Sequence, residues 1–351
     1  MGLTKAQETI WQRARALGSG DQAVGLDDSS CAFLVARIVC DLDLLKHFPE
    51  LPASVPNFYS GESPSLLRIE NVDAELLFER LLDHVRDADT YFACLAVLHK
   101  ARLKYERILS TQSFPTLEQV GPRSLLQYGS LSVVALSSFL AWRKWFFDID
   151  NRAGQETGYL FEPVIAFAIG GTPAPSAKSP VRRHADPKKG RQVDCILNKF
   201  AYEFKIRVTI AASGQGRWKE ELDFPIDCKE SGFRPILICL DSTPNAKLTE
   251  LIAAFERCHG KVFVGEEAWQ HLEQLAGKTM STFLKFYIRD PIKHLLTTDP
   301  QSPRDLHCSS KDGLIEMTID GHERISITRS ASEINSASDS IMPPDADVGI
   351  E

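Results

Sequence analysis

The run Val193-Asp194-Cys195-Ile196-Leu197-Asn198-Lys199-Phe200-Ala201-Tyr202-Glu203-Phe204-Lys205 constrains this chain more than any other. Two segments of strand character flank Asn198-Lys199, which reads as a two-residue hairpin loop, although Asn-Lys is a poorer tight turn than Asn-Gly. With that loop, Leu197 faces Phe200, Cys195 faces Tyr202, and Asp194 falls opposite Glu203. Alternation along a strand then puts Asp194, Glu203 and Lys205 on one surface and Cys195, Tyr202 and Phe204 on the other. Carboxylates opposed across a hairpin repel. A divalent cation between them removes the conflict, and Mg²⁺ suits such a pair because it takes one or two carboxylates and keeps several waters. The plainer alternative is a set of ordinary charges on the solvated face of a half-buried sheet.

The rest of the 351 residues supplies the setting. The most apolar window, 131–142, is too short to span a bilayer. Residues 1–18 carry charge throughout and lack an apolar stretch, so a cytoplasmic chain is expected. Eight cysteines without a C-x-x-C pair suit reduced, buried thiols. Residues 1–150 read as helical, with Ala74, Leu77, Phe78, Leu81, Leu82 and Val85 at helical spacing and similar stripes at 10–16, 32–45, 92–109 and 125–145. Residues 151–296 read as a mixed α/β (α+β) domain: helix 155–169, strands 179–184, 191–197 and 200–210, helix 214–229, strand 235–240, helix 245–258, strand 261–264 and helix 266–275. Residues 297–351 form a polar tail with a hairpin over 314–328 and a Ser- and acid-rich, disordered end.

Net charge is −7, yet between Lys178 and Lys219 eleven basic residues stand against three acidic ones. Arg182, Arg183, His184, Lys188, Lys189 and Arg191 in this segment suit phosphate contacts, and Arg207 is a further DNA-binding candidate, unless the segment is simply a solvated loop. Gln215 and Arg217 are base-reading residue types; the alternative is a helix-entry turn with Trp218 in the core. Trp142, Trp145, Phe146 and Phe147 read as core.

A helix, a three-stranded antiparallel meander, a helix and a further strand, with these carboxylates on the second and third strands, resembles the PD-(D/E)XK nuclease superfamily. From Trp145 to about Asp290 the chain is similar to the ApaLI-like type II restriction endonucleases. The runs that carry the likeness are 155–163 (QETGYLFEP), 190–195 (GRQVDC), 201–205 (AYEFK) and 211–218 (AASGQGRW). The superfamily's first proline is replaced by Val193. The resemblance implies that Asp194 and Glu203, with the Phe204 carbonyl, ligate Mg²⁺. It implies that Lys205 orients or deprotonates the attacking water, and that Glu162, or its competitor Glu156, is the accessory helix carboxylate. It further implies sequence-specific hydrolysis of double-stranded DNA to 5′-phosphate ends, within a system that includes a DNA methyltransferase. A symmetric cut calls for a homodimer, with residues 1–150 at its interface or clasping the duplex. A repair or junction nuclease and a non-catalytic DNA-binding protein are the alternatives.

Overall fold

The computed structural model describes residues 2–18, 22–206, 215–298 and 304–330, with side chains from 218 onward in the third stretch. Arg207, the end of the expected strand 200–210, the disordered end expected after 330 and the side chains of Gln215 and Arg217 lie outside the described residues.

The first part of the chain is helical, as its stripes predict: α1 (Lys5–Arg15), α2 (Asp28–Asp41), α3 (Ala74–His84), α4 (Ala88–Thr111) and the short α5 (Leu117–Val120). Thr4, Asp27 and Asp73 begin the first three by accepting backbone N–H groups from Gln7, Ser30 and Leu76. Then comes α6 (Val133–Ala168), a single helix of 36 residues where the sequence pattern predicts two. Its two apolar stripes belong to different partners, and the polar stretch between them is helical but largely exposed. Gly170, at φ +77°, ends α6 in the left-handed conformation that favours glycine.

The remaining elements are β1 (Thr172–Ala174), β2 (Arg182–Arg183), β3 (Asp186–Gly190), β4 (Val193–Leu197), β5 (Phe200–Lys205), α7 (Gln215–Glu230), β6 (Arg234–Cys239), α8 (Ala246–Arg257), β7 (Lys261–Val264), α9 (Glu266–Leu284), α10 (Asp290–Thr297), β8 (Leu306–Lys311), β9 (Leu314–Ile319) and β10 (Glu323–Thr328). The central sheet has the order β1-β4-β5-β6-β7, antiparallel through β5 and parallel from β5 to β7. The antiparallel part is thus three strands, but its first strand is not the expected 179–184. That place is taken by β1, from a stretch that reads as a Pro-rich loop. At the sheet edge Pro173 need not donate to a ladder. Arg182–Arg183 instead pairs with Asp186–Gly190 in a separate two-stranded ribbon, since these residues are too polar to fill a core.

Both faces of the sheet are covered, which differs from the half-buried sheet expected. Cys195, Tyr202, Phe204, Ile236 and Ile238 point into the largest core, shared with α1–α4, α6 and α9. Ala201, Leu237 and Cys239 pack against Phe224 and Cys228 of α7 and Leu248, Leu251 and Phe255 of α8. Residue 150 is crossed without a break by α6.

The hairpin expected at 314–328 is present, with Glu323 opposite Ile319, and β8 adds a third strand. Ile315 and Ile327 of this small sheet pack on Trp145 and Ile149 of α6, and Trp142 and Phe146 join them. Phe147 does not: it is 60% exposed, because its position on α6 turns it away from that sheet. No helix among the described residues is long and apolar enough to cross a membrane.

One glycine fixes how closely the exit of α6 lies against β4. A Cβ at Gly171 would stand 2.2 Å from Cys195 Sγ and 3.1 Å from the Ile196 carbonyl oxygen. Gly171→Ala is expected to destabilise the protein by about 1–3 kcal/mol through overpacking. Because the nearest atom is Sγ, the same substitution should cost less in a Cys195→Ala background. Denaturant unfolding of the four proteins checks this; an equal cost in both backgrounds would place the strain elsewhere.

Candidate active site

The β4–β5 hairpin forms as its sequence predicts. Leu197, Ile196 and Cys195 pair with Phe200, Ala201 and Tyr202, and Asn198 adopts φ +56° in the turn. Asn tolerates that conformation better than most residues because its short polar side chain bonds locally. Beyond the last paired residues, the Asp194 carboxylate takes the place of a ladder partner. Its Oδ2 accepts the backbone N–H of Phe204 at 2.8 Å. The Phe204 ring itself is buried in the largest core.

Asp194 is buried, and Glu203 and Lys205 are partly so. Lys205 Nζ lies 2.8 Å from Glu203 Oε1 and 3.8 Å from Glu221 Oε1, the latter brought in by α7. Burial raises the Asp194 pKa well above the ordinary carboxylate range, and the neighbouring Glu203 and Glu162 charges add to it. Lys205 and the Phe204 N–H oppose that rise without cancelling it. Glu162, reaching in from α6, is pushed up to about 7 by burial and by Glu203. Burial draws the Lys205 pKa down, but Glu203, Glu221 and Asp194 outweigh it and hold the ammonium above its usual range. The site is therefore four carboxylates around one lysine, all on the sheet face that α7 covers or at its margin.

The accessory carboxylates separate cleanly. Glu162 shares the electrostatic field of Glu203, whereas Glu156 forms an ion pair with Lys104 of α4 at 2.7 Å. Glu221 is absent from the residues that the sequence singles out. Only the docking of α7 brings it to Lys205, and no local spacing signals that.

The basic residues divide too. Arg182, Lys188 and Lys189 are exposed on the β2–β3 ribbon, and Lys189 has only a loose 3.4 Å pairing with Asp186. Arg183 pairs with Glu220 of α7 at 3.0 Å. His184 and Arg191 converge on the buried Asp227 of α7. Its Oδ1 lies 2.7 Å from both the backbone N and Nδ1 of His184, and its Oδ2 3.5 Å from the Arg191 guanidinium. Arg191 is itself buried, over the Phe224 ring and bonded to the Glu220 carbonyl. Its charge ties the ribbon to α7 and does not face solvent. Trp218 packs partly into the α7–α8 core, with its indole N–H on Glu250 at 3.0 Å.

Among the described residues, no three His, Cys, Asp or Glu side chains converge tightly enough to cage an ion. A Mg²⁺ site does not require such a cage, because this ion binds through one or two carboxylates and retains waters. The donor chemistry fits: hard oxygen ligands, with Asp194 buried and the like charges of Glu203 and Glu162 beside it, a repulsion that a cation would relieve. Asp194 and Glu203 are the residues that would hold it.

A model of the ApaLI-like restriction endonuclease family matches residues 63–289, which carries the likeness back into the helical region well before Trp145. Over 256 residues the chain is 47% identical to the type II restriction enzyme ApaLI of Acetobacter pasteurianus, a span covering 68% of either chain. No solved structure matches it. The chain belongs to the ApaLI-like restriction endonuclease family.

Proposed function

We propose that this chain is a Mg²⁺-dependent type II restriction endonuclease built on a PD-(D/E)XK core, which hydrolyses double-stranded DNA at a specific sequence and leaves 5′-phosphate ends. The observation that carries the reading is the buried meeting of Asp194, Glu203 and Lys205 at the end of one hairpin, with Glu162 beside them. Asp194 and Glu203, with the Phe204 carbonyl, would hold the ion. Bound there, Mg²⁺ would supply a water of lowered pKa and neutralise phosphate oxygens. Lys205, 2.8 Å from Glu203, would orient or deprotonate the attacking water and offset the charge that grows on the phosphate. Glu162 is the accessory carboxylate beside them, within the electrostatic reach of Glu203 and Lys205.

The exposed Arg182, Lys188 and Lys189, together with Arg183, suit the DNA backbone, and by residue type Gln215 and Arg217 remain candidates for reading bases, with Arg207 a further DNA-binding candidate. A symmetric cut calls for two copies related by a two-fold axis, with residues 1–150 at the interface or around the duplex. A cytoplasmic location and a cognate methyltransferase complete the system. The complete Asp194/Glu203/Lys205 set weighs against a non-catalytic DNA-binding protein.

The decisive experiment is digestion of plasmid and phage DNA with the purified protein in Mg²⁺, followed by sequencing of the ends. Discrete fragments with religatable ends at one sequence are expected. Activity confined to branched DNA would make it a junction nuclease instead.

The two kinds of basic residue should behave differently. Lys188→Ala and Lys189→Ala are each expected to weaken binding to all DNA sequences alike and to reduce the salt slope by about one. Arg191→Ala should instead lower stability, by about 3 kcal/mol, and with it the melting temperature, because it leaves the buried Asp227 with His184 but without that guanidinium. DNA titrations at several salt concentrations, beside thermal unfolding, distinguish the two. A normal melting point for Arg191→Ala would contradict the structural role.

A further inference from the structure

Lys205 has two carboxylate neighbours of different origin. Glu203 belongs to the same strand and is a ligand of the ion in the reading above; Glu221 belongs to α7 and is not. The ammonium stands 2.8 Å from the first and 3.8 Å from the second. A divalent cation arriving at Asp194 and Glu203 meets this ammonium bonded to one of its own ligands, and the two positive charges repel. The other carboxylates nearby give Lys205 no comparable refuge. Asp194 is engaged by the Phe204 N–H and is itself a ligand in that reading.

We propose that Glu221 is a positioning residue for Lys205, the carboxylate to which the ammonium moves when a divalent cation takes Glu203. The proposal rests on the metal reading above. α7 is built to supply this. Successive residues on a helix are about 100° apart, so adjacent glutamates serve different neighbours: Glu220 pairs with Arg183 of the basic ribbon, and Glu221 with Lys205. The α7 anchor holds firm because Asp227, six residues on, binds the ribbon through His184 and Arg191. Movement of Lys205 by about one ångström toward Glu221 frees Glu203 for the ion while keeping the ammonium beside the site. A Lys205 without that second partner would compete with the cation.

The test is a double-mutant cycle on cation affinity, with Ca²⁺ as the probe and calorimetry as the readout. The four full-length proteins are wild type, Glu221→Gln, Lys205→Met and the double variant. Lys205→Gln serves as a second form if Lys205→Met does not fold, and thermal melts verify folding throughout. Glu221→Gln should weaken Ca²⁺ binding about five- to tenfold in the presence of Lys205. In the Lys205→Met background the same substitution should change affinity less than twofold, the difference being the coupling that a shared partner produces. An equal loss in both backgrounds would make Glu221 a direct ligand or a simple through-space charge, and would overturn the proposal. No loss in either would show that Lys205 depends on Glu203 alone, and would overturn it too. Failure of the wild type to bind Ca²⁺ is a separate result, and it would remove the metal reading itself.

Discussion

Glu203→Gln abolishes DNA cleavage while the protein stays folded and retains DNA binding: this is the largest effect expected of any single substitution here. The change removes one negative charge from the pair that would hold the ion, and it removes the closer partner of Lys205. Loss of one preorganised electrostatic element typically reduces turnover by about a hundred- to a thousandfold. Loss of a metal ligand together with the orientation of Lys205 should exceed that range. Folding should survive because the carboxylates repel one another without a cation. Asp194→Asn and Lys205→Met should be equally inactive. Single-turnover cleavage, paired with DNA binding in Ca²⁺, makes the measurement. Robust cutting by Glu203→Gln in Mg²⁺ would remove Glu203 from the site.

The second large effect is on stability, and its sign follows from linkage. Glu162 has a folded-state pKa of about 7 against an ordinary value of 4.5. A raised carboxyl pKa means that the folded protein holds this proton more tightly than the unfolded chain does. The group is therefore least unfavourable below about 4.5, and its penalty develops as pH rises through about 7. Asp194 shifts in the same direction. Glu162→Gln should accordingly raise the stability of the metal-free protein at pH 8, on the order of 2–3 kcal/mol, with the gain fading toward pH 5. The informative quantity is the difference between variant and wild type. In the difference His99 cancels: it is buried, its pKa is lowered to about 4, and it pushes total stability the other way below about 6.5. Chemical unfolding in EDTA across pH 5–8 provides the data. A variant less stable than wild type at pH 8 would mean that Glu162 makes a favourable contact as an anion.

What the sequence showed depended on how local each feature is. The β4–β5 hairpin, its register and the sharing of one face by Glu203 and Lys205 follow from a few adjacent residues, and all were legible. The strand 261–264 and the hairpin at 314–328 are of the same kind. By contrast, Thr172–Ala174 is a strand only because β4 lies beside it, and nothing in Thr-Pro-Ala announces that. Arg191 read as a cation for DNA because its segment is basic; burial against Phe224 and Asp227 depends on where α7 lands. Glu221 escaped notice for the same reason. The polar stretch that reads as a division of α6 is a helical segment largely exposed to solvent between two buried ones, and periodicity cannot distinguish that from a break.

The continuity of α6 has a consequence for how sequences of this kind can diverge. The helix is anchored near Trp145 and Ile149 by the small C-terminal sheet, and it delivers Glu162 thirteen residues past Ile149. At 1.5 Å and 100° per residue, a single deletion between them would swing that carboxylate about a quarter turn away from Glu203 and withdraw it by a residue's rise. Changes in length are therefore tolerable in the loops on either side of α6, but within it only in steps close to whole turns. The helix works as a ruler whose graduations are residues, so that the count of amino acids between Ile149 and Glu162 sets where that carboxylate stands relative to Glu203.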